Sequence, residues 1–403
     1  MRVLLVTDWM SDPGGSETYM ASLRESLRSS GDEVRLLTSG ARSGENGSAD
    51  YAAYGTDRLV AQAFLQIANP FAVTRVRAAL RGFRPDVVLL GMFAYHLSPA
   101  ILHQLRMVPT VLTVMDYKCI CPSGSKLLPS GSLCTERAGS VCWRYGCVSL
   151  PHWVRDLPRY ALLHAGLKYV RRVLCTSRWM KRELEISGLH SEVVPLPVPA
   201  PPADFRRAPA GNPVFVYCGR LSVEKGLPLL LRAFDRLRRE TPAARLRIVG
   251  DGPQRSDLER LVGSLSLQGV VTFTGRVAPC SVQQELIDAW ALVAPSQWAE
   301  PYGLVALEAI VRGLPVIASA SGGFGETVED GISGLLFSNG NEEELVRCLR
   351  AVADSRVFPS HSLPDDVVQQ MTDAYGPERH IARLHSIFAE VTGSSLLAPA
   401  GPL

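Results

Sequence analysis

The 403-residue sequence has no long apolar run and little net charge. No uncharged apolar run approaches the ~18–20 residues that a membrane-spanning helix needs, so no such helix is predicted. The apolar VLLV of residues 3–6 is soon followed by Asp8. We therefore expect no secretory leader and a cytoplasmic protein. Hydrophobic residues make up 46% and charged residues 20%, which is typical of a globular chain that can bury a sizeable core.

Charge is spread unevenly along the chain. Residues 1–197 carry a net charge of +7 and the remainder −4. Within the first part, a basic helical stretch at 151–172 and the RWMKR of 178–182 could bring the protein to anionic lipid as a peripheral membrane protein. A solvated basic face is the favoured alternative, and the excess is too modest to predict a nucleic-acid partner.

Short apolar runs alternate with helical patterns along most of the chain, which predicts parallel, doubly wound sheets. The predicted strands are residues 3–6, 34–38, 86–90, 110–114 and 172–177, followed by 214–218, 245–250, 270–275, 291–295, 315–319 and 334–337. Residues 39–57, rich in Gly, Ser and Ala, are predicted to form a flexible loop.

A break in composition divides the chain. Seven of the 19 residues at 195–213 are proline, which disfavours helix and central strand. We expect two domains of similar size with a cleft between them. The predicted segments are an N-terminal domain at 1–197, a linker at 198–212, a C-terminal domain at 213–362, a terminal helical segment at 363–391 that packs back toward the first domain, and a tail at 392–403.

The stretch EPYGLVALE at 300–308 suggests a binding site. It follows a predicted strand and is predicted to begin a helix, with Pro301 in the first helical turn. Gly303 would let a ligand approach the backbone closely. Carboxylates such as Glu300 and Glu308 bind phosphate poorly, but they accept hydrogen bonds from hydroxyl groups beside it. The pattern indicates a nucleotide-sugar site.

Five of the nine cysteines lie within 29 residues, in an insertion at 116–147 that follows a predicted strand. They are Cys119, Cys121, Cys134, Cys142 and Cys147. The insertion has little apolar content to fold by itself, a situation in which a metal or a disulfide supplies stability. Structural zinc, disulfides and free thiols all remain open, because the spacing lacks the paired C-x-x-C motifs of a common zinc site.

Five motifs in order resemble the retaining glycosyltransferases of family 4, which have the GT-B fold. They are GGSE at 14–17, GRLSVEKG at 219–226, VGDGP at 249–253, EPYGLVALE at 300–308, and the pattern GLPVIAS…GG…E…GLLF at 313–337. The resemblance covers nearly the whole chain and implies two Rossmann-like domains that face each other across a cleft. It also implies a nucleoside-diphosphate sugar as co-substrate.

Carried over by position, the resemblance implies catalytic roles for Arg220, Lys225 and Glu300. Arg220 and Lys225 would contact the donor diphosphate, whose charge grows as it departs. Glu300 would accept hydrogen bonds from the donor sugar. Glu308 would hold the ribose.

Other residues would complete the donor site. The backbone of Tyr302, Gly303 and Leu304 would lie against the phosphates. Arg276 and Val277 would flank the nucleobase. Gly15, in the Pro-Gly-Gly loop after the first strand, would approach the donor phosphate from the other domain.

The resemblance also implies a mechanism. The acceptor attacks the front face of the donor sugar, and the leaving phosphate takes the proton. The chain has no Asp-x-Asp metal clamp, which fits a metal-independent site that requires no cofactor. Two alternatives remain: a nucleotide-sugar epimerase on the same fold, and a catalytically silent binding subunit.

The acceptor side departs from the family pattern. Met115 stands where many relatives have a histidine, and it cannot donate a hydrogen bond, whereas Asp116 is kept. A polysaccharide or lipid-linked glycan is the first expectation for the acceptor, and a small natural product the second.

Overall fold

The computed structural model describes residues 1–10, 14–41 and 49–393. The predicted tail therefore lies outside these ranges from residue 394, as do Pro13 and residues 42–48 of the predicted loop. Within the described ranges, no helix has the length and apolar character needed to cross a membrane.

The chain forms two compact units. The first unit contains residues 1–129, 134–197 and the chain from Pro377, and the second contains residues 130–133 and 198–376. The proline-rich segment 198–212 belongs to the second unit and is not a free linker. Ala208 N–H donates to Ile287 O and Ala210 N–H to Asp288 O, both at 2.9 Å, which ties this segment to the unit.

A seven-stranded sheet organises the first unit. Its strands are β1 (Arg2–Val6), β2 (Glu33–Ser39), β3 (Tyr51–Ala53), β4 (Val87–Leu90), β5 (Thr110–Val114), β6 (Arg172–Cys175) and β7 (Glu192–Val193). All pairs are parallel, in the order β3-β2-β1-β4-β5-β6-β7. The side chains of β4 are all buried, which explains why the strand is a continuous apolar run.

Helices cover this sheet. They are α1 (Gly15–Ser29), α2 (Leu59–Leu65), α3 (Pro70–Phe83), α4 (Val141–Arg144), α5 (Leu150–Leu167) and α6 (Arg178–Ile186), with a 3₁₀ helix at Pro99–Met107. The prediction of a loop at 39–57 is wrong for residues 51–53. These residues form β3, which pairs with residues 37–39 of β2. Three residues at a sheet edge are too short to show a strand pattern in sequence.

A second parallel sheet organises the other unit. Its strands are β8 (Val214–Cys218), β9 (Arg245–Val249), β10 (Val271–Gly275), β11 (Ala291–Ala294), β12 (Val316–Ser319) and β13 (Gly334–Phe337). Their order is β10-β9-β8-β11-β12-β13. Phe215 and Tyr217 belong to one core cluster, while Val214 and Val216 belong to another, so alternate side chains fill the two faces of the sheet.

The helices of this unit lie on both faces. They are α7 (Leu227–Glu240), α8 (Arg255–Ser264), α9 (Leu304–Ile310), α10 (Phe324–Thr327), α11 (Glu342–Ala353) and α12 (Asp365–Tyr375), with 3₁₀ helices at Val223–Lys225 and Pro279–Leu286. The predicted pair of doubly wound parallel sheets is confirmed.

The predicted terminal segment at 363–391 contains two helices that belong to different units. Helix α12 belongs to the second unit, and α13 (Pro377–Thr392) belongs to the first. His380 Nε2 of α13 lies 3.0 Å from Tyr19 Oη, and His380 Nδ1 lies 2.9 Å from Pro195 O, so two hydrogen bonds of this side chain hold the helix.

Candidate active site

Three of the residues predicted for the donor lie on the two loops where the strand order of the second sheet reverses. Strands β8 and β11 are neighbours there, although 72 residues separate their ends, Cys218 and Ala291. Ligands of open α/β sheets bind at such a reversal, outside the carboxyl ends of the strands. The loop after β8 carries Arg220 and Lys225, and the loop after β11 carries Glu300.

Lys225 and Glu300 form an ion pair, with Lys225 Nζ 2.6 Å from Glu300 Oε1. The Ser296 hydroxyl donates to the same oxygen at 2.6 Å. The Glu300 side chain is 10% exposed, whereas the Lys225 side chain is 23% exposed. Lys225 Nζ also lies 5.2 Å from the centroid of the Trp298 ring, within the range of a cation–π contact.

Opposing effects act on the Glu300 carboxyl. Burial raises its pKa, but the charge of Lys225 and hydrogen bonds from Lys225, Ser296 and Trp298 outweigh burial, so the pKa lies below its ordinary value of 4.5. Glu300 is therefore ionised at neutral pH. An ionised carboxylate accepts hydrogen bonds but donates none.

Lys225 is placed by a tight turn. It ends the 3₁₀ helix at Val223–Lys225, and Gly226 follows with φ of 71°. A Cβ on Gly226 would lie 2.0 Å from the Pro295 carbonyl oxygen, so only glycine lets the loops after β8 and β11 come this close. Gln297 N–H donates to Glu224 O at 2.8 Å and joins the same two loops.

Arg220 differs from Lys225 in being exposed. Among the described residues, no ion pair to its guanidinium is formed, while its carbonyl accepts from the Tyr217 hydroxyl at 2.8 Å. The loop holds the backbone of Arg220 and leaves its charge available to an anion.

The helix after Glu300 begins later than predicted. Helix α9 starts at Leu304 with Gly303 as its N-cap, so Pro301 is not in the first turn and Glu300 precedes the helix by four residues. The cause is the local pairing of the backbone: Gly323 N–H donates to Glu300 O at 2.7 Å, which holds the chain extended at Glu300. Tyr302 is buried, and Leu304 is half-buried.

Glu308 lies within α9 and is half-buried. Burial raises its pKa, and the charge of Arg312 opposes only part of this effect. Its environment is thus unlike that of Glu300, which fits separate roles for the two carboxyl groups.

Arg276 and Val277 follow strand β10. Arg276 is exposed, and Val277 is half-buried against the core cluster that includes Val249 and Leu286. Their contact with a nucleobase stays a prediction, as do the roles assigned above to the other donor residues.

In the first unit, α1 begins at Gly15, directly after β1 and its loop. Gly14 N–H donates to the Glu17 carboxylate at 3.0 Å, and both Gly14 and Gly15 are exposed. The 15-residue helix thus starts at the motif GGSE. The role of Gly15 toward a donor stays a prediction.

A second polar site lies at the carboxyl ends of β4 and β5. Met115 and Asp116, both half-buried, line a small pocket together with Tyr95 and Cys119. The Tyr95 hydroxyl donates to Asp116 Oδ2 at 3.0 Å. Burial raises the pKa of Asp116, although hydrogen bonds from Lys118 N–H and Tyr95 oppose this effect.

Sequence reasoning missed Asp8 and Tyr95 in this site. Asp8 is fully buried and accepts the N–H groups of Tyr95, His96 and Leu97, each at 2.8 Å. Burial raises the pKa of Asp8 to about 6, despite these bonds. The available signal was a lone carboxylate two residues after the first strand.

The five clustered cysteines are free thiols, so none forms a disulfide. No group of three or more Cys, His, Asp or Glu side chains in the described chain is arranged to hold a metal ion, and the zinc site stays a prediction. Other contacts hold the insertion instead. Lys126 Nζ lies 3.0 Å from Glu183 Oε2 in a buried ion pair, and Trp179 Nε1–H donates to the Tyr117 hydroxyl at 3.1 Å.

The predicted basic face at 151–172 is also different in the structure. Arg155 and Arg159 both pair with Asp156, and Arg159 is 1% exposed. Arg172 lies 3.1 Å from Glu390. The helical period places Arg155 and Arg159 toward the unit, where both pair with the buried Asp156 carboxylate, whereas Arg172 lies in β6 and pairs with an exposed glutamate.

Comparison with known proteins gives two adjoining domain matches. Residues 14–199 match the glycosyl transferase 4-like domain, and residues 204–366 match glycosyl transferases group 1. Over 148 residues the chain is 36% identical to the sulfoquinovosyl transferase of Arabidopsis thaliana, which covers 36% of this chain and 27% of that protein. The match therefore spans about a quarter of that relative's length.

Solved structures share the fold over nearly the whole chain. Sucrose-phosphate synthase from Thermosynechococcus elongatus is 22% identical with a TM-score of 0.75, covering 98% of this chain and 100% of that one. The HepE protein of Anabaena, in complex with UDP-glucose, is 18% identical with a TM-score of 0.69, covering 97% and 100%. The two domain matches together cover most of the chain, and the fold is shared with these structures. The chain belongs to the family-4 glycosyltransferases of the GT-B fold.

Proposed function

We propose that this protein transfers a sugar from a nucleoside-diphosphate sugar to a hydroxyl acceptor, with retention of the anomeric configuration and without a metal ion. The observation that carries this proposal is the ion pair of Lys225 and Glu300 at the strand-order reversal, with the exposed Arg220 after the same strand as Lys225. Two cations and an ionised carboxylate match a diphosphate joined to a hydroxyl-rich sugar.

The charges fit the donor in detail. A lysine ammonium has three N–H donors, and the bond to Glu300 uses one of them. The others are free to bind a phosphate oxygen, and Arg220 would bind a second. Glu300 would accept from a sugar hydroxyl, and Glu308 from the ribose. The UDP-glucose bound by the Anabaena protein supports a donor of this class.

The proposed reaction forms one bond and breaks one. The acceptor oxygen bonds to the anomeric carbon on the face that the leaving diphosphate occupies. The bond from that carbon to the phosphate oxygen breaks, the diphosphate takes its electron pair, and the hydroxyl proton moves to the diphosphate. Lys225 and Arg220 stabilise the charge that grows on the leaving group.

The acceptor would bind at the polar site of the first unit. Tyr95 and Asp116 line its pocket, and Asp116 would accept from an acceptor hydroxyl. A polysaccharide or lipid-linked glycan is the first candidate and a small natural product the second. We place the protein in the cytoplasm.

Nucleotide release from candidate donors, measured with and without acceptors, tests this function. We expect a nucleoside diphosphate to raise the melting temperature, and we expect release to require an acceptor, with the product keeping the donor's anomeric configuration by NMR. Conversion of the donor sugar without acceptor would indicate the epimerase instead. A nucleotide-induced shift with no turnover on any acceptor would indicate a silent subunit.

A further inference from the structure

Helix α5 presents an apolar face to solvent. Leu150, Val154 and Leu157 are 50%, 50% and 48% exposed, and their spacing of four and three residues places them on one side of the helix. Further along, Leu162 is 38% exposed. A helix on the surface of a globular unit normally shows polar residues on this side, so the pattern of α5 is inverted.

Aromatic and cationic residues flank this face. Trp143 and Tyr145, just before α5, are 38% and 52% exposed, and the exposed Arg144 lies between them. The exposed Lys168 follows the other end of the helix. Residues 138–168 contain one acidic residue, Asp156, which is 1% exposed and paired with arginines. The exposed charged side chains of this stretch are therefore all positive.

The first unit has a second exposed apolar element. Helix α2 has no buried residue, and its Leu59 and Phe64 are 83% and 68% exposed. Asn69, after α2, donates to His96 O at 2.8 Å, while Arg159 of α5 donates to Ala94 O at 3.2 Å. Helix α5 thus adjoins the loop that carries Tyr95, at the pocket proposed for the acceptor, and the residue that caps α3 contacts the same loop.

We propose that the exposed face of α5, with Trp143 and Tyr145, docks on an anionic lipid bilayer. Tryptophan, tyrosine and arginine beside leucine and valine suit the boundary of headgroups and acyl chains. A second copy of the chain fits less well, because a two-fold contact would bring positive charges together without an exposed carboxylate to offset them. The inference deepens the proposed function, since a bilayer beside the pocket suits a lipid-linked acceptor.

Flotation with vesicles tests the docking. The full chain is mixed with vesicles of phosphatidylcholine alone or of phosphatidylcholine with phosphatidylglycerol, and the bound fraction is measured. We expect binding to the anionic vesicles, and more than about tenfold weaker binding of the triple variant Leu150→Glu, Val154→Glu, Leu157→Glu. Arg144→Gln and Lys168→Gln should each weaken it about fivefold, and only on anionic vesicles.

The control is Ile332→Glu, which places the same charge at a 44% exposed apolar site of the second unit and should bind vesicles like the wild type. Circular dichroism and the melting shift with UDP confirm that each variant folds and keeps its donor site. Wild-type protein that does not float, or a triple variant that floats equally well, overturns the docking. So does light scattering that shows a dimer lost in the triple variant. If UDP still raises the melting temperature normally when the docking fails, the proposed function is unaffected.

Discussion

Lys225 Nζ lies 2.6 Å from Glu300 Oε1, although the two residues are 75 positions apart in the chain. The two side chains assigned to different parts of the donor, the diphosphate and the sugar, therefore touch each other. A change in the charge of either side chain, or in what it binds, must therefore affect the other side chain.

Replacing Lys225 by methionine should damage both activity and stability. We expect kcat/KM to fall by about 10²–10³, as for the loss of a charge-stabilising donor. The free energy of unfolding should fall by about 1–3 kcal/mol, because the buried Glu300 carboxylate loses a charged partner. Transfer assays and urea unfolding measure the two effects.

The matched control is Lys181→Met, since Lys181 is 43% exposed and its distance to Glu185 is 3.8 Å. It should change neither quantity appreciably, because exposed pairs contribute about 0–1 kcal/mol. Equal behaviour of the two variants would contradict the role of Lys225.

Gly303→Ala should disturb the donor site through the backbone. Gly303 has φ of 92°, and an added Cβ would lie 2.5 Å from the Phe324 ring. We expect a loss of about 1–3 kcal/mol in the free energy of unfolding and a smaller melting shift with UDP. Gly325→Ala is the control, because a Cβ there meets no atom within 4 Å. If UDP raises the melting temperature of Gly303→Ala as much as that of the wild type, the predicted contact of the Gly303 backbone with the donor phosphates is wrong.

Tyr95→Phe separates the acceptor side from the donor side. It removes the hydroxyl that donates to Asp116 at 3.0 Å. We expect the KM for the acceptor to rise about tenfold, the scale of one hydrogen bond to a charged group, while the UDP shift stays unchanged. Tyr54→Phe, at a 55% exposed tyrosine, is the control. If donor binding alone changes, the acceptor assignment is wrong.

His380 should make the protein less stable in mild acid. Burial lowers its pKa from 6.5 to about 4, and a backbone carbonyl opposes only part of this effect. The unfolded chain therefore binds a proton that the folded chain excludes, and stability is lost as pH falls from 6.5 toward 4. The loss should reach about 2 kcal/mol near pH 5 relative to neutral pH.

Urea unfolding at the two pH values measures this loss. His380→Gln should be less stable at neutral pH, because one or both hydrogen bonds to Tyr19 and Pro195 are lost. Its remaining pH dependence should be smaller than that of the wild type. An unchanged pH dependence would assign the acid sensitivity to other groups.

Several parts of the fold were readable in the sequence because they depend on local composition. Continuous apolar runs such as VLLV predicted strands that are buried on both faces, and the five motifs predicted the family. Strand β3 escaped prediction because three residues gain their conformation from pairing with β2. The start of α9 escaped because the contact of Glu300 with Gly322 and Gly323 comes from distant chain.

The sequence by itself determined the kinds of groups in the site: two cations, two carboxylates and glycines at tight loops. Only the tertiary structure decided that Lys225 pairs with Glu300, and that Asp8 and Tyr95 join Asp116. It also decided that Arg159 of α5 points inward while Leu150 and Leu157 face solvent. Local patterns fix which elements form. The pairing of charges and the exposure of side chains depend on which elements become neighbours. The strand order of the sheets determines those neighbours.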